Sequence, residues 1–150
     1  MKTTYFDESD LDDCATLFLT HYNTVHGCQF TKNSALLALQ EIQYIPRFMG
    51  FVLKDKKEMI GFVFAHLKTW DTLDELVIDE WILAENLEEK EKEKAYFLML
   101  DDLEKHVSAY GLAGLTFTTD CPEWAQRLTS KGFAKHQLTF FYKGNGKQSK

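Results

Sequence analysis

The sequence predicts an α/β protein whose mixed, mostly antiparallel sheet of six or seven strands is flanked by about four helices. Short segments rich in Phe, Val and Ile are joined by polar turns, as in neighbouring antiparallel strands. Other segments repeat apolar residues at three- and four-residue spacing, which indicates helices. A long helical segment separates the fourth strand from the fifth, so these two strands are expected to run parallel.

The first predicted elements are one strand and two helices. TTYF is a candidate strand, and SDLDDCATLFLTHYNTV is a helix with Ser9 at its start and Asp12 three residues later. After the polar break HGCQFT, the segment NSALLALQEI is a second, shorter helix. The order of elements therefore begins β-α-α.

Three strands and a long helix follow. RFMGFVLKD, EMIGFVFAHLKTW and TLDELVIDEWIL have the composition of strands and are separated by the polar turns KDKKE and KTWDT. A helix is expected from about Glu88 to Tyr110, with Gly111 placed to cap its C-terminus.

The end of the chain is predicted as strand, helix and strand. GLTFTT is the fifth strand, Pro122 lies where the first residue of a short helix belongs, and Gly132 follows that helix. FAKHQLTFFYK then forms one last strand. The full order is β-α-α-β-β-β-α-β-α-β, in a single domain over residues 1–143 followed by a polar tail at 144–150.

The composition limits the classes of function. The chain has 150 residues, of which 45% are hydrophobic, and a formal net charge of −6, which disfavours a nucleic-acid partner. The first residues lack the apolar region of a signal peptide, and no apolar run approaches the ~18 residues of a membrane span. The three cysteines are expected to be reduced thiols. We therefore expect a cytoplasmic monomer or homodimer with no membrane partner.

Several segments resemble the GNAT superfamily of acetyl-CoA-dependent N-acetyltransferases. The segments that carry the resemblance are DESDLDDCATLF, GFVLKDKKEMIGFVFAHLKTW, ELVIDEWIL and EWAQRLTSKGFAK, and it covers nearly the whole chain. A GNAT domain commonly has a GFV…IGF strand pair and a fourth strand of the form I-E-E-hydrophobic-hydrophobic-V, to which IDEWIL is similar. The resemblance implies the GNAT fold and acetyl transfer from acetyl-CoA to an amine.

The resemblance also implies where acetyl-CoA binds as co-substrate. In GNAT folds the fourth and fifth strands splay apart, and the pantetheine arm lies in the gap. Its partners here would be Trp81, Ile82, Leu83 and Ala84, at the end of the fourth strand. The pyrophosphate would lie at the N-terminus of the next helix, where unpaired amides and the helix dipole attract anions.

The loop before that helix departs from the family's pattern, R/Q-x-x-G-x-G/A. An alignment without gaps puts Glu88 at the Arg/Gln position, and Glu91 and Glu93 at the glycines. The cations that could offset these acids and contact phosphate are Lys90, Lys92 and Lys94. In the alternative interpretation the run is a solvated helix start, which acidic residues also suit.

Acetyl transfer needs a group that removes a proton from the amine. The fourth strand offers three carboxylates, Glu75, Asp79 and Glu80, and we favour Asp79 or Glu80 as the base. Successive side chains of a strand point to opposite faces, so without a bulge at most one of the two can face the substrate. The alternative for both is exposure to solvent or pairing with a lysine.

The family's general acid is usually a tyrosine just before the GF of the last helix–strand segment. The matching position here is Leu128 or Thr129, and the nearest other tyrosine is Tyr142 on the last strand. Neither leucine nor threonine can serve as that acid.

Three further features have structural interpretations that we favour. His66 alternates with core residues, which favours a hydrogen-bonded sheet histidine over a base. His21, His26 and Cys28 lie close together but match no zinc pattern, so no metal is expected. Cys121 has no recognisable His or Asp partner and is expected to be structural.

Two functions remain open from the sequence. The first is an N-acetyltransferase that uses acetyl-CoA and accepts a small-molecule or protein amine. The second is a catalytically degenerate protein of the same fold that binds another ligand or a protein partner. The fourth-strand motif favours the first, and the missing glycines and tyrosine favour the second.

Overall fold

The computed structural model describes residues 1–118, 126, 129, 134–136 and 139–141. Its strands are β1 (Lys2–Tyr5), β2 (Phe48–Asp55), β3 (Glu58–Trp70), β4 (Leu73–Leu83), β5 (Gly114–Thr118), β6 (Ala134–His136) and β7 (Thr139–Phe141). Its helices are α1 (Leu11–Val25), α2 (Lys32–Gln43) and α3 (Glu89–Ala109). The strands form one seven-stranded sheet in the order β1-β2-β3-β4-β5-β7-β6.

The sheet has the strand directions that the sequence predicts. β4 and β5 are parallel, and the other neighbouring strands are antiparallel. The predicted α/β class is confirmed. A right-handed crossover through a helix such as α3 is what places two consecutive strands side by side in parallel.

The sheet divides the hydrophobic core into two layers. In β3, Val63 and Ala65 point to the layer under α3, whereas Phe62 and Phe64 point to the layer under α1 and α2. This division follows from the alternation of strand side chains and from helices that each present one apolar face. The buried residues of α3 are Ala95, Tyr96, Met99, Leu100 and Leu103, and those of α1 are Leu11, Cys14, Ala15 and Phe18.

The start of the first helix differs from the prediction. A 3-10 turn at Glu8–Asp10 precedes α1, and its N-cap is Asp7, whose side chain accepts a hydrogen bond from the Ser9 amide. Ser9 is therefore inside the turn and does not cap it. Asp7 and Asp10 form a reciprocal capping box, which begins the helical path two residues before the predicted cap.

The end of α3 follows the prediction. Gly111 has a φ of +64°, a conformation that glycine adopts without the steric cost of a side chain, and the Leu112 amide donates to the Val107 carbonyl at 2.9 Å. The helix therefore ends at Ala109 and the chain turns back towards β5.

The last part of the chain differs from the prediction where it is described. Instead of one strand over FAKHQLTFFYK, β6 and β7 form two short antiparallel strands, with β7 next to β5. Gln126 and Thr129 are helical, but the rest of the predicted helix after Pro122, Gly132 and the tail at 144–150 lie outside the described residues. In the described part of the chain, no helix has the length and apolar character needed to cross a membrane.

Candidate active site

β4 and β5 separate after a short paired segment. Their parallel pairing covers only residues 75–77 of β4 and 114–116 of β5, although β4 continues to Leu83. Beyond Val77, no residue of the described chain pairs with β4 on the β5 side. The sheet therefore has an open backbone edge along residues 78–83.

The directions of the backbone amides show which of the predicted pantetheine contacts are possible at this edge. The Ala84 amide donates to the Ile60 carbonyl of β3 at 2.9 Å, and Ile82 pairs with Phe62. Because strand amides alternate in direction, the amides of Trp81 and Leu83 face the gap, whereas those of Ile82 and Ala84 face β3. Of the four residues predicted to contact pantetheine, the backbone of only Trp81 and Leu83 is available to do so.

The Trp81 side chain forms part of the α3 layer. Its ring stacks on Tyr96 at 5.4 Å between centroids and meets Phe117 of β5 edge-on at 5.2 Å. These contacts link α3, β4 and β5 beside the gap. Trp81 thus forms part of the wall of the cleft and presents its backbone to the opening.

A β-bulge lies in β4 at the two candidate bases. Phe64 of β3 pairs with Glu80, and the next β3 residue, Ala65, pairs with Ile78, so Asp79 is an extra residue without a partner in the register. A bulge of this kind brings two successive side chains opposite one residue of the neighbouring strand and changes the alternation of faces.

The two carboxylates of the bulge point to the same side of the sheet. Asp79 contacts His66, which is on the same face of β3 as Phe64, and Glu80 contacts Tyr22 of α1. The sequence predicted opposite faces for Asp79 and Glu80 unless a bulge intervened, and the bulge is present.

Asp79 and His66 form a hydrogen-bonded pair. The distance from His66 Nδ1 to Asp79 Oδ2 is 2.8 Å, and the side chains are only 18% and 17% exposed. Burial raises the pKa of Asp79, and the contact with His66 lowers it in part. His66 is therefore a hydrogen-bonded histidine, as predicted, but its partner is one of the candidate catalytic carboxylates.

Glu80 is held by a tyrosine. The Tyr22 hydroxyl lies 2.8 Å from Glu80 Oε1 and 3.1 Å from Oε2, and donates a hydrogen bond to this carboxylate. Burial raises the pKa of Glu80, against the lowering effects of the Tyr22 hydrogen bond and of His21. Burial and the neighbouring carboxylate also raise the pKa of Tyr22, so this hydroxyl stays protonated at neutral pH.

The C-terminal turns of α1 are attached to β4 at two points. Besides the Tyr22–Glu80 bond, His21 Nδ1 lies 3.0 Å from Glu85 Oε2 just after β4. We did not predict Tyr22 or Glu85 as site residues from the sequence. These bonds join positions 58 and 64 residues apart, which local spacing does not reveal.

A third carboxylate lies at the closed end of the gap. Glu75 is buried and accepts a short hydrogen bond from the Thr116 hydroxyl of β5, which is also buried. Glu75, Asp79 and Glu80 thus make the part of β4 beside the gap acidic. Such a surface suits a cationic group such as an ammonium ion.

The N-terminus of α3 carries its own carboxylates. Glu88 is the N-cap and forms a capping box with Glu91, whose side chain accepts from the Glu88 amide at 3.2 Å. Of the three predicted phosphate contacts, Lys90 and Lys94 are exposed and Lys92 is partly buried. The first amides of a helix are the donors that an anion would use, and here the carboxylates of the helix itself already accept hydrogen bonds from some of them.

Some predicted residues lie outside the described part of the chain. These are Leu128, Tyr142 and Cys121. Thr129 is described as helical and exposed. Within the described residues, no group of three His, Cys, Asp or Glu side chains is arranged to hold a metal ion.

The chain resembles solved acetyltransferase structures. No protein-family model matches the sequence, and no curated protein matches it. A probable acetyltransferase has 15% identity and a TM-score of 0.74, over 91% of this chain and 92% of that one. A ribosomal-protein-alanine N-acetyltransferase from Brucella melitensis biovar Abortus 2308 has 13% identity and a TM-score of 0.68, over 91% and 94%.

A third similar structure is an aminoglycoside 6'-N-acetyltransferase in complex with coenzyme A. It has 16% identity and a TM-score of 0.60, and the match covers 79% of this chain and 62% of that one. At these identities the likeness concerns the fold. The chain therefore has the fold of the GNAT acetyltransferases, as the sequence predicted.

Proposed function

We propose that this protein, which has the GNAT fold, is an N-acetyltransferase that moves an acetyl group from acetyl-CoA to an amine. The observation that carries the proposal is the open edge of β4 beside Asp79 and Glu80. An extended amide-containing arm can add to an unpaired strand edge through main-chain hydrogen bonds. The Trp81 and Leu83 amides are donors at this edge.

The reaction uses groups that lie together on β4. An acceptor ammonium loses one proton to the protein, and the resulting amine nitrogen attacks the thioester carbonyl carbon. The carbon–nitrogen bond forms, the carbon–sulfur bond breaks, and the second nitrogen proton ends on the sulfur of coenzyme A. Asp79 or Glu80 drives the first proton transfer, directly or through a neighbouring side chain.

The acceptor is a small-molecule or protein amine. The acidic residues beside the gap favour an amine that arrives as a cation, because opposite charges attract it to the site before it loses its proton. The fold neighbours include an enzyme named for an aminoglycoside and one named for a ribosomal protein. These two kinds of acceptor are the first to test.

The N-terminus of α3 suits the phosphates of acetyl-CoA less well than the open edge of β4 suits pantetheine. Glu88 and Glu91 occupy the N-terminal turn, and Glu89 adds a third acid there. A carboxylate ~5 Å from a phosphate costs about 3 kcal/mol at an effective dielectric constant of ~20. We propose that Lys90, Lys92 and Lys94 offset this repulsion.

Binding is tested by thermal unfolding with millimolar acetyl-CoA. A ligand at ~100 times its Kd adds ~2.7 kcal/mol to the free energy of unfolding, which raises Tm by about 5 to 10 °C for a domain of this size. Turnover is tested by release of the coenzyme A thiol with kanamycin and with a peptide that begins with alanine. An unchanged Tm, no heat in a titration and no thiol release would overturn the proposal.

The role of the lysines is tested by charge reversal. Lys90→Glu, Lys92→Glu and Lys94→Glu, made one at a time, should each weaken acetyl-CoA binding. Lys105→Glu is the matched control, because Lys105 is exposed near the other end of α3. Equal affinity in all four variants would show that the lysines do not contact the phosphates.

The Glu88–Glu91 capping box favours a second candidate function. In this alternative the protein keeps the fold but binds another ligand, or a protein partner, without acetyl transfer. Its signature would be an intact fold in which acetyl-CoA neither binds nor reacts.

A further inference from the structure

We propose that His66 is the general base of the acetyl transfer and that Asp79 positions it. This inference rests on the proposed function and identifies which side chain takes the proton. A histidine on β3 thus acts with a carboxylate on the bulge of β4. Asp79 is then a positioning residue and does not itself receive the proton.

The hydrogen bond between the two side chains sets the state of the imidazole. Asp79 Oδ2 lies 2.8 Å from His66 Nδ1, so an ionised carboxylate accepts from Nδ1–H. The neutral ring then has its lone pair on Nε2, which is the atom that can take a proton. No residue in the described part of the chain bonds to Nε2.

Glu80 is less suited to the same role. Both of its oxygens lie within 3.1 Å of the Tyr22 hydroxyl, which donates to the carboxylate and so stabilises its charged form. Taking a proton would weaken that hydrogen bond. Its charge, next to Asp79, instead favours a cation in the cleft.

The bulge explains why both carboxylates lie on the face of His66. His66 pairs with Val77 in the β3–β4 register, two residues before Asp79. In a regular strand the side chain of Asp79 would share its face with Val77, but Glu80 would then point to the α3 layer. The extra residue allows His66, Asp79 and Glu80 to lie on one face.

The charged and titratable groups around His66 come from three elements. Asp79, Glu80 and Glu75 are on β4, and Lys68 follows two residues later on β3, so it shares the face of His66. Tyr22 is on α1. On the β2 side, His66 pairs with Phe48, which is uncharged. Carboxylates dominate this set, so the charges that face the cleft suit a cationic acceptor.

The step balances in protons and charge. Nε2 of neutral His66 takes one proton from the acceptor ammonium, which gives imidazolium beside the Asp79 carboxylate and a neutral amine. That amine attacks the thioester carbonyl as described above. The imidazolium later releases its proton to water, the coenzyme A thiol leaves with a second proton of the nitrogen, and the third stays on the amide product.

The test is the pH dependence of kcat/KM, measured by thiol release from acetyl-CoA with kanamycin or the alanine peptide as acceptor. In the wild-type protein, kcat/KM should rise with pH along a limb that reports the protonation of His66. His66→Gln should lower kcat/KM by about 100-fold or more and remove that limb. Asp79→Asn should lower kcat more than it changes KM, and should displace the limb.

Two comparisons separate a catalytic role from a structural one. His106→Gln, at a histidine on α3 that bonds to Tyr5 of β1, should retain the wild-type profile. Glu80→Gln should keep the limb even if its rate is lower. The Tm shift with acetyl-CoA should be the same in His66→Gln as in the wild type, which shows that the variant is folded.

The outcomes are distinct. Turnover with the limb unchanged in His66→Gln, or with the limb lost in Glu80→Gln instead, would overturn this inference and leave the proposed function standing. No turnover of acetyl-CoA by the wild-type protein with either acceptor would overturn the proposed function, and the inference with it. Loss of the limb in His66→Gln alone supports both.

Discussion

Glu80 is a half-buried carboxylate whose charged form is stabilised by the Tyr22 hydroxyl and by His21. Burial raises the pKa of Glu80, and the Tyr22 hydrogen bond counteracts that effect. A raised pKa in the folded protein means that ionisation of this group opposes folding. Its contribution to stability is complete below its ordinary pKa of 4.5 and is lost as pH rises through the higher folded value.

Tyr22→Phe should therefore destabilise the protein in a pH-dependent way. At pH 7 we expect the free energy of unfolding to fall by about 1.5 kcal/mol, because a charged, half-buried group loses its donor. Near pH 4.5 the loss should be smaller, since protonated Glu80 needs the donor less. Urea unfolding at the two pH values measures the difference.

Tyr44→Phe is the control for this variant. Tyr44 is 82% exposed, so its hydroxyl is hydrated with or without the fold, and the change should leave stability nearly unaltered at both pH values. If Tyr22→Phe lost as much stability at pH 4.5 as at pH 7, the hydroxyl would stabilise packing and not the charge of Glu80.

At the scale of elements, the β2–β3 turn has an unfavourable sequence. Lys56 and Lys57 both have positive φ, at 51° and 74°, although a turn of this kind favours Asn-Gly. A side chain in the left-handed region costs roughly 1–2 kcal/mol, and glycine avoids that cost. The long β2–β3 pairing holds the two lysines in this conformation.

The double variant Lys56→Asn/Lys57→Gly should be more stable than the wild type. We expect a gain of about 1 kcal/mol and a rise in Tm of about 2–4 °C, measured by calorimetry. Lys56→Ala/Lys57→Ala removes the same charges and keeps the unfavourable backbone conformation, so it should show no gain. Equal Tm values for the two double variants would contradict the backbone explanation.

Periodicity and composition identify most elements here but not the bulge. The helix from Glu89 to Ala109 and the strand from Glu58 to Trp70 follow from patterns within one segment. The extra residue at Asp79 depends on how β4 pairs with β3, so IDEWIL alone cannot reveal it. The same limit applies to Tyr22, whose bond to Glu80 is a tertiary contact.

The self-capped start of α3 is a case where local sequence sufficed. The pattern of acids that stands in place of the family's glycines predicts a helix start, and the structure has Glu88 as N-cap. Phosphate binding at this N-terminus depends on the negative charges of the ligand itself, which the sequence of the helix does not contain. The sequence therefore predicts where this helix begins, and the phosphate contacts there stay a prediction.

At the scale of the whole molecule, the β4–β5 pairing is a weak seam of the sheet. β2 and β3 pair along eight positions from Phe48 to Asp55, whereas β4 and β5 pair at only three. The buried Glu75–Thr116 hydrogen bond lies in this seam. Regions with few contacts open at lower free energy than the rest of a protein, so β5 and β7 are expected to open before β2 and β3.

Thr116→Val should weaken the seam selectively. The change keeps the shape of the side chain but removes the hydroxyl that donates to a buried carboxylate, which costs about 1–3 kcal/mol. Native-state hydrogen exchange should show faster exchange in β5 and β7 and unchanged opening in β2 and β3. Uniform acceleration across the sheet would show that the protein opens as one unit and that no separate seam exists.

The extra residue of β4 has a consequence for how the gene can change. Deleting Asp79 would leave a strand of simple alternation in which Ile78 and Trp81 still face α3 and Glu80 still faces α1. The fold therefore does not need this residue, and a deletion would remove only the bulge and the carboxylate beside His66. Inserting a second residue there would instead turn every later side chain of β4 to the opposite face.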